Sequence, residues 1–130
     1  MVVATPKTYA PEDLLTMPDG DRYELIDGRL VEKTMSALSN YVANRVAQAV
    51  ANYSDAKCLG WAFGDNISIQ CFPDSPNKVR KPDHAFISRH RLSADDIRAM
   101  GHITLAPDLV LEVVSPNDLA YDVNRKIEDW

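Results

Sequence analysis

The segment APDLVLEVVSP, residues 106–116, constrains the fold more than any other part of the sequence. It is a short, almost wholly apolar run between two prolines, a pattern typical of a strand that is covered on both faces and central in its sheet. One carboxylate, that of Glu112, stands inside this run. Burying an ionised carboxylate is costly unless a cation, a metal or hydrogen-bond donors compensate it. Glu112 is therefore a functional residue, the partner of a structural arginine, or a sign that the strand is less covered than its apolar neighbours suggest.

The length and composition bound the kind of protein. A chain of 130 residues with 45% hydrophobic content predicts one globular domain over residues 1–130. Nineteen acidic against fourteen basic residues argue against generalised binding to nucleic acid or acidic membranes, so any contact with a polyanion would be local. The two cysteines lack metal-type spacing, and the N-terminus lacks an apolar signal region. These features predict a cytoplasmic protein that does not enter a membrane.

Two local patterns predict a hairpin and a long helix. Asp27-Gly28 separates two β-prone runs, residues 23–26 and 29–33, which is a strong cue for a two-residue hairpin turn. Glu24 lies on the first of these strands, where a solvated carboxylate is the commoner outcome. From Ser36 or Ser39 to about Tyr53, apolar residues recur at helical spacing and predict an amphipathic helix laid against the sheet. Its predicted apolar face consists of Leu38, Val42, Val46, Ala49, Val50 and Tyr53.

The segment 78–91 is the one strongly basic stretch of this acidic protein. Five Lys or Arg residues and two His surround a single acid, Asp83, at the start of a predicted strand. Such a segment could bind phosphates, although a run of charged residues is more often a solvated loop. His84, His90 and His102 show no metal-ligand spacing and are predicted to lie at the surface or behind the residues of a site.

The C-terminal residues predict a last helix capped by Asn117 or Asp118. Its predicted buried stripe consists of Leu119, Val123, Ile127 and Trp130. Lys126 lies four residues after Asp122, so it can lean over the end of the preceding strand or form an ordinary intrahelical pair. Because the sequence stops inside this helix, we expect a C-terminally truncated domain.

Three carboxylates, those of Glu24, Asp83 and Glu112, stand out as candidates for chemistry. Two carboxylates from neighbouring strands, together with a backbone carbonyl such as that of Val113, offer the hard oxygen ligands that Mg²⁺ or Mn²⁺ prefers. A bound divalent ion would activate a water and neutralise charge on a phosphate. A nearby lysine would orient or deprotonate that water.

These residues carry a resemblance to a known family. The segments YELIDG (residues 23–28), KPDHAF (residues 81–86) and APDLVLEVVSP, with Asp122 and Lys126, resemble the Uma-two family, which is classed with endonucleases of the restriction-endonuclease-like PD-(D/E)XK superfamily. The resemblance implies an α/β fold with a restriction-endonuclease-like core, in which a mixed sheet of four or five strands is flanked by helices. It also implies a Mg²⁺-dependent phosphodiesterase site with Asp83 and Glu112 as metal ligands and Glu24 as an auxiliary acid.

The sequence departs from the superfamily pattern at the lysine. The motif places a lysine two residues after the acid, on the same face of the strand, and here that position is Val114. The resemblance implies that Lys126 has taken over this role from the following helix.

Two functions are consistent with these residues. The leading one is a metal-dependent nuclease acting on nucleic acid, with DNA as the expected substrate. The alternative is a non-catalytic member of the fold that binds a partner or dimerises. Homodimerisation fits either function, since Trp61, Phe63 and an incomplete sheet edge would offer apolar or unpaired surface.

Overall fold

The computed structural model describes residues 4–130, which fold into five strands and four α-helices. The helices are α1 (Pro11–Thr16), α2 (Ala37–Ala56), α3 (Ala94–Ala99) and α4 (Ala120–Asp129), with a 3₁₀ turn at Gly20–Arg22. The strands are β1 (Tyr23–Ile26), β2 (Arg29–Glu32), β3 (Gly60–Phe63), β4 (His84–Ser88) and β5 (Leu109–Leu111). The predicted α/β class is confirmed. Within the described residues, no helix combines the length and the apolar character that crossing a bilayer requires.

The predicted hairpin is formed by β1 and β2. Its strands are antiparallel, with Tyr23 opposite Glu32 and Ile26 opposite Arg29. Asp27 and Gly28 have φ angles of 50° and 77°, the left-handed values that a tight two-residue hairpin turn needs. An aspartate tolerates such a backbone better than most residues, and glycine adopts it freely. The turn is therefore encoded by these two residues alone.

The remaining strands form a second antiparallel sheet in the order β3-β4-β5. The resemblance had implied a mixed sheet of four or five strands, whereas the described residues form two separate antiparallel sheets. An isolated bridge between Leu25 and Val79 links the hairpin to the segment before β4. Within residues 4–130, β5 pairs only with β4 and lies at the sheet edge. Leu109 on β5 is 47% exposed. The prediction of a central strand covered on both faces is therefore wrong.

The main core lies on one face of the second sheet. Ala85 and Ile87 of β4 pack there with buried side chains from the loops around them, namely Ile69, Leu92 and Ile103. Trp61 and Phe63 pack against the same cluster, and the Trp61 indole N–H donates to the Leu92 carbonyl at 2.7 Å. Both aromatic residues are half-buried against the core of the chain itself, and homodimerisation stays a prediction.

Helix α2 forms close to its predicted place, but its buried residues are smaller than the predicted ones. Ser36 caps it, with its hydroxyl accepting from the Ser39 amide at 3.1 Å. The buried residues of α2 are Ser39, Ala43 and Ser54, whereas Leu38 is 66% exposed and the rest of the predicted apolar face is at least partly exposed. Small residues allow a helix to lie close to a strand. Ala49, Val50 and Tyr53 of the predicted apolar face are at least partly exposed and line an open pocket of about 400 Å³ with Phe86 of β4 and Leu109 of β5.

Helix α4 departs from its prediction in the same way. Asn117 and Asp118 do not cap it; Leu119 holds the cap position without a side-chain hydrogen bond. Leu119 and Ile127 of the predicted buried stripe are exposed. Trp130 of that stripe packs against the main core, and Asp129 beside it binds Lys78 and Arg80.

His84 is buried, with 1% of its surface exposed, so the prediction that it lies at the surface is wrong. Neither of its ring nitrogens has a hydrogen-bond partner within the described residues. Burial lowers the pKa of His84, because an imidazolium would lose its hydration there. His102 is also buried, but its ring nitrogens contact the Ser68 hydroxyl at 2.8 Å and the Pro11 carbonyl at 2.7 Å.

We expect His84 to make the protein acid-sensitive. The unfolded chain takes up a proton on this histidine near its ordinary pKa of about 6.5, whereas the folded chain resists protonation to lower pH. Stability is therefore complete above this pH and is lost as the pH falls towards the lowered pKa of the folded state. Urea unfolding of the wild type and His84→Leu at pH 7 and pH 5 checks this, and an equal loss of stability in both proteins would contradict it.

Candidate active site

One pocket of about 250 Å³ collects every residue that was predicted from the sequence to belong to a site. It lies between the β1-β2 hairpin, the ends of β4 and β5, and α4. The predicted site residues that line it are Glu24, Asp83, Glu112, Val113 and Lys126. Residues that are far apart in the sequence therefore meet at one place in the fold.

The pairing of β4 with β5 brings Asp83 and Glu112 together. His84 is paired with Leu111 in the antiparallel register, and one further step of that register sets Asp83 opposite Glu112. The Asp83 amide donates to the Leu111 carbonyl at 3.0 Å, which continues the ladder past the end of β4. The Asp83 Oδ2 atom in turn accepts from the Val113 amide at 2.7 Å. The two carboxylates therefore project from the same end and the same face of the sheet.

Among the three site carboxylates, those of Glu24, Asp83 and Glu112, the surroundings compensate the negative charge of Glu112 least. Burial raises the pKa of Glu112; the Lys126 charge opposes this, and the nearby Asp83 and Glu24 charges add to it. The Trp130 indole N–H donates to Glu112 Oε1 at 3.3 Å, and the Lys126 Nζ atom lies 3.8 Å from Oε2. A further cation beside this carboxylate would stabilise its ionised form.

Glu24 is only 2% exposed, so its interpretation as a solvated hairpin residue is wrong. Its Oε1 atom accepts from the Lys81 amide at 2.8 Å, and its Oε2 atom pairs with Arg80 Nη1 at 3.3 Å. Arg80 also binds Asp129 of α4, with 2.7 Å between Nε and Oδ2. This chain of contacts joins the hairpin, the segment before β4 and the last helix around the pocket.

The first part of the basic segment 78–91 lies inside the protein. Lys78 binds Asp129 Oδ1 at 2.7 Å, and the buried Lys81 donates to the Gly20 carbonyl at 3.2 Å. The hydrogen bonds from Lys78 and Arg80 outweigh the effect of burial and lower the pKa of Asp129. The interpretations of this stretch as a phosphate contact or a solvated loop are both wrong for Lys78, Arg80 and Lys81, which hold the walls of the pocket in place.

Lys126 occupies the position that was predicted for it from the sequence. It extends from α4 towards Glu112 and lines the pocket. Its ion-pair partner in the structure is Glu112 and not Asp122, which was the alternative. Two contacts at the end of α4, from Asp129 and Trp130 to the pocket walls, fix this helix where Lys126 can reach the carboxylates.

Lys33 is a residue of the pocket that was not predicted from the sequence. It follows β2 directly, and its Nζ atom lies 3.0 Å from Asp83 Oδ1. A signal for it existed in the hairpin pattern: Val31 is opposite Glu24, and alternation places Lys33 on the same face as Val31. The pocket therefore contains two lysines, one beside each of the carboxylates that meet at the ends of β4 and β5.

Comparison with known proteins decides the family. The model of the Uma2 family, described as "Putative restriction endonuclease", matches residues 11–130. The chain belongs to the Uma2 family. No curated protein gives a significant match.

A solved structure shares the fold of this Uma2 chain. It is a putative nuclease belonging to DUF820 from Anabaena variabilis ATCC 29413, matched with a TM-score of 0.70 and 19% sequence identity. The match covers 90% of this chain and 64% of that one, so this chain spans less than two thirds of the length of the nuclease. At this identity the likeness shows a shared fold.

The pocket of this Uma2 chain has the donor chemistry for a hard divalent cation. Its carboxylates at Asp83 and Glu112 and the backbone of Val113 supply oxygen atoms, which Mg²⁺ and Mn²⁺ prefer. Among the described residues, no three Asp, Glu, His or Cys side chains form a group that could hold a metal ion by themselves. An ion here would therefore depend on backbone oxygen and water as well, as Mg²⁺ commonly does.

Proposed function

We propose that this chain is a Mg²⁺-dependent nuclease that hydrolyses phosphodiester bonds, with DNA as its substrate. Its family and its fold are those of nuclease-like proteins. The observation that carries the proposal is the meeting of Asp83 and Glu112 beside Lys126 in one pocket, where the pKa of Glu112 is raised. Perturbed carboxylates in a cleft are characteristic of functional sites.

The residues of the pocket would have different roles in such a reaction. Asp83, Glu112 and the Val113 carbonyl would hold the ion, which when bound supplies charge neutralisation and an activated water. Lys126, next to Glu112, would orient that water and stabilise the negative charge that develops on the phosphate, while the proton of the water passes to bulk solvent. Glu24 acts through Arg80 and the Lys81 amide to fix the wall of the pocket, which makes it a positioning residue.

Contact with nucleic acid would be confined to a small part of the surface, because the net charge of the chain is negative. Arg125 and Lys126 lie side by side on α4 and line the same pocket. Two cationic side chains at the pocket suit a phosphate backbone, since phosphate contacts position a nucleic acid without reading its sequence. The acidic residues elsewhere on the chain would disfavour tight binding in the absence of a metal ion.

A plasmid-nicking assay tests this function. We expect the wild type to nick supercoiled DNA with Mg²⁺ or Mn²⁺, to stop when a chelator is added, and to lose at least about a hundredfold in rate in Glu112→Gln. Glu112→Gln should remain folded, because it removes a carboxylate whose ionised form burial disfavours. Parallel assays on single-stranded DNA and on RNA decide the substrate.

Two outcomes would contradict the proposal. Equal nicking by the wild type and by Glu112→Gln would mean that the activity belongs to a contaminant. No metal-dependent cleavage of any of these substrates would favour the alternative, a non-catalytic member of the family that binds a partner.

A further inference from the structure

Lys33 holds a cation where the proposed function needs a metal ion. Its Nζ atom lies 3.0 Å from Asp83 Oδ1, and the two side chains are only 11% and 5% exposed. The other oxygen of Asp83 accepts from the Val113 amide. Both oxygens of this proposed metal ligand are therefore already engaged.

The contacts of Asp83 are tighter than those of the second proposed ligand. Each of the three central acids faces one basic group, and the separation is 3.0 Å for Lys33 with Asp83, 3.3 Å for Arg80 with Glu24, and 3.8 Å for Lys126 with Glu112. Arg80 is tied to Asp129 as well, so it has little freedom to move. Of the three cations, Lys33 is thus the one that lies nearest to the position that a metal ion bound to Asp83 would occupy.

The Lys33 side chain also lies next to a second site that its ammonium can occupy. Its Nζ atom already donates to the Asp65 carbonyl at 3.3 Å. A second pocket of about 210 Å³ lies on this side of it, and its lining includes Lys33, two acids, Asp21 and Asp65, and one further base, Arg22. A lysine side chain is flexible, so the ammonium can turn from Asp83 towards this pocket and keep its hydrogen bond to the Asp65 carbonyl.

We propose that the Lys33 ammonium is a built-in counter-cation of Asp83 that a divalent metal ion must displace, so that Lys33 sets the metal affinity of the pocket. This inference rests on the proposed metal-dependent function. An ammonium and a divalent ion repel each other strongly at such distances, so both cannot bind the same carboxylate oxygen. In the metal-free protein Lys33 stabilises the buried carboxylate, and it gives up this contact when the ion binds.

The test is a Mn²⁺ titration of the whole chain, followed by the electron paramagnetic resonance signal of free Mn²⁺. The apparent affinity of a ligand falls with the fraction of molecules in which its site is free. We therefore expect Lys33→Met to lower the Mn²⁺ dissociation constant by about tenfold or more relative to the wild type. Mn²⁺ should also raise the melting temperature of Lys33→Met by more than that of the wild type, because Asp83 has lost its internal partner.

A matched control separates this effect from a general change in charge. Arg98→Gln removes one positive charge from an exposed ion pair with Asp95 on α3 and should leave Mn²⁺ binding unchanged. If Lys33→Met does not fold, Lys33→Gln keeps a polar side chain at Asp83 without the charge and takes its place.

The outcomes distinguish this inference from the function on which it rests. Equal dissociation constants in the wild type and the Lys33 variant would overturn the role of Lys33 while leaving the metal site intact, as would equal tightening in Arg98→Gln. No Mn²⁺ binding by the wild type or any variant would overturn the proposed metal site itself, and the role of Lys33 with it.

Discussion

Arg80→Met is expected to lower the free energy of unfolding by about 3–5 kcal/mol, the usual cost of removing one partner from a buried ion pair. Arg80 is 5% exposed and binds both Glu24 and Asp129. Methionine fills much of the space but leaves Glu24 without its cation and Asp129 with Lys78 alone. Urea unfolding at neutral pH measures the loss.

Two further variants show whether the loss comes from the charges. Arg22→Met breaks the exposed pair with Glu32 and should cost less than about 1 kcal/mol. Adding Glu24→Gln to Arg80→Met should restore part of the lost stability, because the carboxylate that lost its cation is then neutral. A loss in Arg80→Met no larger than in Arg22→Met would show that Arg80 does not hold the pocket together.

Lys126→Met is expected to lower the rate of DNA cleavage by about 10²–10³-fold, the range typical of removing one group that stabilises charge in the transition state. Lys126 is the basic residue beside Glu112, so its loss should affect the reaction without removing any proposed metal ligand. The nicking assay measures the rate, and a Mn²⁺ titration of the same variant should still show binding.

The two lysines of the pocket are expected to behave differently. Lys126→Met should bind Mn²⁺ and cleave poorly, whereas Lys33→Met should bind Mn²⁺ more tightly than the wild type. Lys57→Met removes an exposed lysine that contacts Tyr53 outside the pocket, and it should cleave at the wild-type rate. Cleavage by Lys126→Met at the rate of Lys57→Met would refute the assigned role of Lys126.

Features that depend on neighbouring residues were predictable from the sequence. The Asp27-Gly28 turn follows from two residues that accept a left-handed backbone. The bounds of α2 follow from the Ser36 cap and the helical period of its apolar residues. The meeting of Asp83 and Glu112 was predicted as well, because Asp83 begins one predicted strand and Glu112 lies inside the apolar run of another.

Features that depend on distant partners were not predictable in this way. Lys33 pairs with a residue 50 positions away, and Arg80 binds Asp129 across 49 positions. No local period records such a pairing, so basic residues that are buried and bound looked like a solvated or phosphate-binding segment. Packing between elements likewise decides which faces of β5 are buried and which side of α2 contacts the rest of the protein. The hydrophobic period of a single element does not determine this packing.

The most direct test of the central claim is a calorimetric Mn²⁺ titration of the wild type, Asp83→Asn and Glu112→Gln, with a short DNA duplex present to supply phosphate ligands. Both variants keep the size of the side chain and remove its charge, so they change the ligands with little change in packing. If Asp83 and Glu112 form a metal site, the wild type binds Mn²⁺ and both variants lose that binding. Equal binding by all three proteins, or binding by none, would contradict the claim.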